Sequence, residues 1–526
     1  MTGVTGVKSS KSDDNRNSAL PHSSTTAVSE QELGQSLDET LARLRQIFSN
    51  DGTLRIRVME NKQFGRVRFG LVYIDGMIDR ELIQDGIIRP VTEALFTGAE
   101  HYSPEHLMEN IRTQIIQISD VVVALKLDEL ISAIVAGKTL FLLDGCAGAL
   151  NINAQGWETR AITEPLTEKG VRGPREGFTE SLLVNLTLIR RRVQNADLKF
   201  IFCEIGTRSK TQTCLCYMES LASPDILKEL QERLARVEID HILDTGYLAE
   251  LIRDEPYSPF EMLGSTERPD AVVSKIMEGR FAIMIEGSPF ALTLPYVFVE
   301  NFQASEDYYL NYYFTSFNRI LRILGAFMSI SIPAVYVALV TFSQEMLPTQ
   351  LLLSIATARL SVPFPSIVEA LIMLTIFEIL REAGARIPTS IGQAVSIVGA
   401  LVLGQAAVDA RIVSAPMVIV VGLTGITTLL NPRLTGPLIV VRVVLLLMSF
   451  FLGIYGYFFG LLGLVIHLMS MRSFGVSYML GVGSIRAQDI KDTIIRAPWW
   501  DMYLRPAMIG ARNMRRKPMD KKGKRS

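Results

Sequence analysis

Apolar residues recur along this chain with three rhythms, and each predicts a different kind of element. Leu33, Leu37, Leu41, Leu44 and Phe48 share one stripe of an amphipathic helix. From Arg66 to Ile74 apolar and polar residues alternate as in a strand, and Asp79–Leu95 has helical spacing. Val121–Leu125 and Thr139–Leu143 read as short buried strands. From Ile320 to Met471 the chain is almost continuously apolar, in the runs Ile320–Phe342, Pro363–Leu380, Ile391–Val408, Ile412–Leu430 and Leu438–Met471. About 20 apolar residues cross a bilayer core. The last run, 34 residues, would be about 51 Å long as one helix, so it is expected to divide near Gly453–Gly456. That gives about six spans, with four as the alternative count.

The expected fold class is therefore an α/β duplicated cytosolic N-terminal domain followed by an all-α polytopic membrane domain. Residues 1–50 are expected to hold a disordered segment, Ser/Thr/Asn-rich and without periodicity, and the amphipathic helix. Two α/β subdomains follow at 51–160 and 161–305, then the membrane domain at 306–478 and a basic cytosolic tail at 479–526.

The duplication rests on an internal match. Ile131–Asn151 aligns with Val273–Thr293 at a constant offset, with identities at Ser132/Ser274, Ile134/Ile276, Gly137/Gly279, Gly145/Gly287, Ala149/Ala291 and Leu150/Leu292, and Asp144 opposite Glu286. Upstream, Leu71–Asp75 resembles Leu215–Glu219 at nearly the same offset. The repeat also disposes of a tempting phosphate-binding motif. Gly137-Lys138-Thr139 lacks the glycine five residues earlier, where Ser132 stands, and its counterpart in the second copy is Gly279-Arg280-Phe281. The glycine is better read as a helix C-cap.

Composition and charge set sidedness and narrow the chemistry. The chain has 526 residues, 48% of them hydrophobic, a mean hydropathy of +0.26 and a net charge of −1. Met1–Glu30 has no apolar core of a signal peptide. Twelve Lys/Arg against four Asp crowd Arg486–Arg525, and Arg319, Arg322, Arg381, Arg386, Arg433 and Arg472 flank alternate ends of the runs. Both termini are therefore expected on the cytosolic side. The histidines are scattered without metal-ligand spacing. No nucleophile elbow or dinucleotide turn is present, so an enzyme, a cofactor and a metal site are not expected. Cys214 and Cys216 read as one face of a buried strand.

Inside the apolar block, charge is the informative exception, because ionisable groups at that depth face a bundle interior or a wet path. Glu369, Glu378 and Arg442 lie there, and with Arg386 and Gln393 they form the set of pore or gating candidates. Glu378 shares a helix face with Arg381 and Glu382, whereas Glu369 has no partner in its own helix. Small residues recur at Gly392, Ser396, Ala400 and Gly404, and again at Gly453, Gly456, Gly460 and Gly463. Such stripes allow close helix packing, around a pore or subunit seam, or within one protomer.

Pro174-Arg175-Glu176-Gly177-Phe178-Thr179-Glu180-Ser181-Leu182, running on to Asn185 and Ile189-Arg190-Arg191-Arg192, resembles the signature of the GerA-type spore germination proteins, A subunit. Gly206-Thr207-Arg208-Ser209, Pro363-Phe364-Pro365, Arg386-Ile387-Pro388 with Ile391–Val395, Ser414-Ala415-Pro416 and Ser473-Phe474-Gly475-Val476 resemble further family segments. The resemblance spans about residues 50 to 480. It implies a nutrient germinant receptor subunit of the spore inner membrane, acting with a B-type transporter-like nutrient-sensing subunit and a C-type lipoprotein subunit. It also implies a homo-oligomer, a pentamer, forming a cation channel in membrane lipid, with no nucleic acid partner. Within the family the alternative is an accessory channel resembling stage V sporulation protein AF; outside it, a small-solute transporter. Read physically, Pro174 would start a helix with Glu176 and Glu180 in its first turns and Arg190–Arg192 in its last, complementing the helix dipole.

Overall fold

The computed structural model describes residues 33–61, 67–94, 103–157, 165, 168, 170, 172–386, 399, 402–480, 492–505 and 513–516. The expected disorder of residues 1–30 and most of the basic tail lie outside the described residues. The chain divides into two compact units, one of residues 1–49 with 53–157, the other of residues 50–52 with 158–526.

In the first unit, helix α1 (Leu37–Ile47) precedes strands β1 (Leu54–Glu60) and β2 (Arg68–Ile74). Three short helices follow, α2 (Arg80–Ile83), α3 (Arg89–Glu93) and α4 (Pro104–Asn110), then β3 (Val121–Ala124), α5 (Leu127–Val135), β4 (Thr139–Leu143) and β5 (Ala149–Ile152). The strands form one antiparallel sheet, ordered β1-β2-β4-β5-β3. The predicted stripe of α1 is buried from Leu33 to Phe48, and Leu37 and Leu41 press on Gly70 of β2. Thus α1 belongs to this α/β layer. Alternation sends Phe69, Leu71, Phe141, Leu143, Leu150 and Ile152 to the opposite face, against Ile83, Ile87 and Val91. One expectation is corrected: β3 is an edge strand, so Val122 and Val123 are exposed rather than buried.

The second unit repeats this plan. Helix α6 (Leu182–Arg192) precedes β6 (Leu198–Ile205) and β7 (Thr211–Met218), α7 (Pro224–Ala235) and α8 (Thr245–Ile252), β8 (Gly264–Thr266), α9 (Pro269–Ile276), β9 (Phe281–Ile285) and β10 (Ala291–Leu294). The order is β6-β7-β9-β10-β8. Matched details recur. Asp144 accepts the backbone N–H of Leu37 at 3.2 Å and Glu286 that of Leu182 at 2.8 Å; each carboxylate caps its helix. Gly137 and Gly279 have φ of 88° and 90° and close α5 and α9. Cys214 and Cys216 are buried on the α6/α9 face with sulfurs 3.9 Å apart.

The other face of the second sheet continues into a helical region. It comprises α10 (Tyr312–Thr341), α11 (Thr349–Arg359), α12 (Ser366–Arg386), α13 (Ala415–Leu429) and α14 (Thr435–Ser470). Among the described residues, Tyr312–Thr341 and Pro432–Ser470 are long and apolar enough to cross a membrane by length and composition. The second is broken at Gly453, whose φ of 61° and ψ of −143° are not helical. Leu445 then lies against Gly460, with a side-chain atom 2.6 Å from where a Cβ would stand. Along a straight helix those residues would be about 22 Å apart, so the chain doubles back where the glycines stand.

Candidate functional site: charges buried among apolar helices

Arg442 is fully buried on α14. Its Nε donates to the Ser329 carbonyl on α10 at 2.8 Å, Nη2 to Thr428 Oγ1 on α13 at 2.6 Å, and Nη1 to Glu378 Oε1 on α12 at 3.3 Å. One guanidinium therefore ties four helices together, using the planar fork that suits arginine to several acceptors. Glu378 also accepts from Arg381 Nε at 2.7 Å. The expected cluster with Glu382 is corrected: Glu382 pairs instead with the exposed Arg386, at 2.7 Å.

Glu369 is fully buried near the start of α12. Its carboxylate accepts from the backbone N and Oγ of Ser414 at 3.0 and 2.8 Å, and from Arg359 Nε at 3.4 Å. Ser414 is the N-cap of α13, so Glu369 neutralises orphan donors and the positive end of that helix. Among the described residues this carboxylate is enclosed by its hydrogen-bond partners. Gln393, Gly392, Ser396 and Ala400 lie outside the described residues. Gly404 makes an ordinary contact with Val418. Gly456 and Gly460 pack within the α14 turn, where a Cβ at Gly456 would collide with the Met448 carbonyl; Gly453, at the break, lies against Phe342 beyond the end of α10, and Gly463 faces open space.

A second group of charges joins the helices to the α/β layer beneath. Asp307, buried, accepts from Arg319 Nε at 2.9 Å and Arg322 Nη1 at 3.0 Å. Arg319 Nη1 also donates to Asp492 Oδ1 at 2.8 Å, and Tyr308 OH to Asp492 Oδ2 at 2.7 Å. Glu300 is clasped by Arg280 and Lys275, and Arg433 pairs with Glu168. Burial pushes the Glu300 carboxyl up, but Arg280 and Lys275 more than offset this and hold it below the usual glutamate value. Burial dominates at Asp492 and raises it despite Arg319. Sequence reading placed Arg319 as a flanking charge; it is instead fully buried. Asp307 and Asp492 escaped notice, and the one available signal was the Arg319/Arg322 spacing, which puts both guanidinia on one helical face.

The Pro174–Arg192 motif builds the lead-in to α6. The helix starts at Leu182, not Pro174, a correction with a visible cause. Asn185 accepts from Thr179 N at 2.7 Å and donates to Thr179 O at 2.6 Å, while Phe178 N bonds Glu267 O at 2.8 Å. These bonds hold the preceding segment out of helix. Phe178 and Gly177 are buried, and Glu180 O receives Gly287 N at 2.8 Å. Ser181 is the N-cap, Arg175 is exposed, and Glu176 pairs with Arg192. Arg190 is buried against Asp51 and over the Phe200 ring. Arg190 and Arg192 are thus committed to side-chain ion pairs.

Fold and site together define a class: an α/β protein whose C-terminal helices are apolar outside and charge-paired inside. The profile of the Bacillus/Clostridium GerA spore germination protein family matches residues 42–508. Spore germination protein KA of Bacillus subtilis (strain 168) is 39% identical over 93% of this chain and 90% of its own length. Spore germination protein GerLA of Bacillus cereus is 34% identical over 93% of this chain and 99% of its own. The Bacillus subtilis "Uncharacterized membrane protein YfkQ" is 43% identical over 84% of this chain and 86% of its own. The crystal structure of the N-terminal domain of the A subunit of the Bacillus megaterium spore germinant receptor GerK3 covers 51% of this chain and 98% of its own, at 29% identity and a TM-score of 0.41. The chain belongs to the GerA spore germination protein family.

Proposed function

We propose that this chain is the A subunit of a nutrient germinant receptor that oligomerises, as a pentamer, into a cation channel of the spore inner membrane. The observation that carries the reading is Arg442, an arginine bonded to three other apolar helices. Ionisable groups placed at such depth mark ion paths and moving parts, and Glu378 supplies a counter-charge that a conformational change could release. The remaining parts of the reading are a polytopic helical domain with about six spans, domain boundaries near 50, 160, 305 and 478, cytosolic termini, and assembly with B-type and C-type subunits. The doubling back at Gly453 supports the larger span count. No catalytic role is proposed for the paired charges, which are engaged in holding helices together.

Expressed with partner subunits in growing cells, the wild-type chain is expected to cause cation leak. Glu378→Gln is expected to change that leak or its gating with assembly intact, and Glu369→Gln to act through the α13 N-terminus. Unchanged conductance in both assembled variants would remove these residues from the path, and absence of leak from any assembled form would sink the channel reading. Cysteines introduced at Ser18 and Ser526 should resist an impermeant label on intact cells; labelling of either overturns the orientation.

A further inference from the structure

Beside the first turns of α10, within the second unit, lies a cavity of about 540 Å³. Its wall comes from β8, α9, the segment from Tyr296 to Tyr309, and tail residues including Asp492, Trp499, Arg505 and Arg516. Five cations line it (Lys275, Arg280, Arg433, Arg505, Arg516) against four carboxylates (Asp270, Glu278, Glu300, Asp492), a formal surplus of one positive charge. Arg280 and Lys275 share Glu300, and Arg505 and Arg516 have only Glu278 between them, which Arg516 bonds at 2.8 Å; Arg433 is met from outside the lining by Glu168. Among the described residues Arg505, only 7% exposed, hydrogen-bonds carbonyls alone: Nε donates to Met277 O at 2.8 Å, and Nη1 to Asn513 O at 3.0 Å and to Arg515 O. Its Nη2 has no partner among the described residues. Burial and the neighbouring Arg516 hold its guanidinium below the usual arginine value, with Glu278 offsetting only part of this. A buried cation with no ion pair of its own among the described residues is costly, and an anion would complete the site.

The mouth of the cavity sets the class of anion. Tyr309 and Trp499 line it and are partly exposed. Beside them Tyr313, Phe314, Phe317, Ile320, Leu321 and Leu324 project from α10 into the open, at spacings that make one continuous apolar face. Aromatic residues at the foot of an apolar helix mark the level of lipid headgroups, and basic pockets on the cytoplasmic side take anionic ones. We infer that this cavity receives the phosphodiester headgroup of an anionic phospholipid, with Arg505 as its charge-assisted donor and the α10 face carrying the acyl chains. A zwitterionic headgroup brings its own cation and gains less from this basic wall.

The inference rests on the membrane reading proposed above. The full chain, purified in detergent, is titrated with dioctanoyl phosphatidylglycerol, dioctanoyl phosphatidylcholine or inorganic phosphate, reading the rise in unfolding midpoint that binding confers. Phosphatidylglycerol is expected to bind about tenfold or more tightly than phosphatidylcholine, the range of one charged hydrogen bond. Arg505→Gln should erase that preference and Arg505→Lys keep part of it. Ser274→Trp, an exposed residue on the wall, should block the lipid with Arg505 intact. Equal affinity for the two lipids, or a preference that survives both Arg505→Gln and Ser274→Trp, overturns the inference. Phosphate acting at the same concentration as the lipid would replace the lipid with a free anion. Recovery of the chain from the soluble fraction without detergent would fail the membrane reading instead, separately from the anion site.

Discussion

The two α/β layers share a strand order and differ in what their surfaces meet. In the first, the position after the α5 glycine is Lys138, half-buried at the surface, and edge strand β3 leaves Val122 and Val123 in the open. In the second, the equivalent residue is Arg280, buried against Glu300, and edge strand β8 lies largely buried beside the cavity. The same framework therefore serves once as a layer with a bare edge and once as the base on which the helices stand. Backbone rules such as the glycine C-caps were kept in both copies, while charge changed wherever a new neighbour appeared.

The largest expected effect separates the copies outright. Arg280→Leu leaves Glu300 buried with Lys275 as its remaining cation and should destabilise the second unit by about 3 kcal/mol. Lys138→Leu should stay within about 0.5 kcal/mol. Hydrogen exchange of the full chain, resolved by peptide, checks both, and equal effects would break the comparison. Next comes a substitution for which the copies should agree. Gly145 and Gly287 have φ of 83° and 89°, and alanine at either should cost about 1–2 kcal/mol. Gly287 isolates backbone strain, since nothing lies within 4 Å of its missing Cβ. A free Gly287→Ala would show that the turns are not equivalent.

Acid sharpens the difference through Glu300. Its folded value lies below its unfolded one, so its contribution is complete above the ordinary glutamate range of about 4.3. It drains as pH falls through the folded value. Between pH 6 and 3 the wild-type second unit should lose stability more steeply than Glu300→Gln; parallel slopes would show that the carboxylate is not the group responsible. The smallest effect belongs to the bare edge. Val122→Lys should change stability by no more than about 0.5 kcal/mol, and a larger loss by thermal unfolding would mean that β3 is covered.

Much of this architecture was legible in order. Leu33 to Phe48 declared a helix because a 3.6-residue period needs only one buried face. The Ile131–Asn151 repeat foretold matching strands and C-caps, and the second copy's Arg280-Phe281 was enough to dismiss a phosphate loop. Gly453 as a break followed from the length of the last apolar run. Several misread positions depended on residues far away in sequence. Pro174 suits a helix start, but Asn185 and Glu267 hold its segment extended. Val122 alternates like a core strand, and only its place at the sheet edge exposes it.

The sequence by itself determined that charge sits deep among apolar helices, that an α/β plan occurs twice, and that the family is GerA. Periodicity, repetition and motif are local properties, readable without knowing what packs where. Only the packed fold shows that Arg442 binds Glu378, that Glu369 caps α13, that Gly456 and Gly460 pack inside the turn of α14, and that Arg505 hydrogen-bonds carbonyls among the described residues. Each of those depends on which donor meets which acceptor across the fold, and a buried charge is defined by its partner, which one-dimensional spacing does not specify.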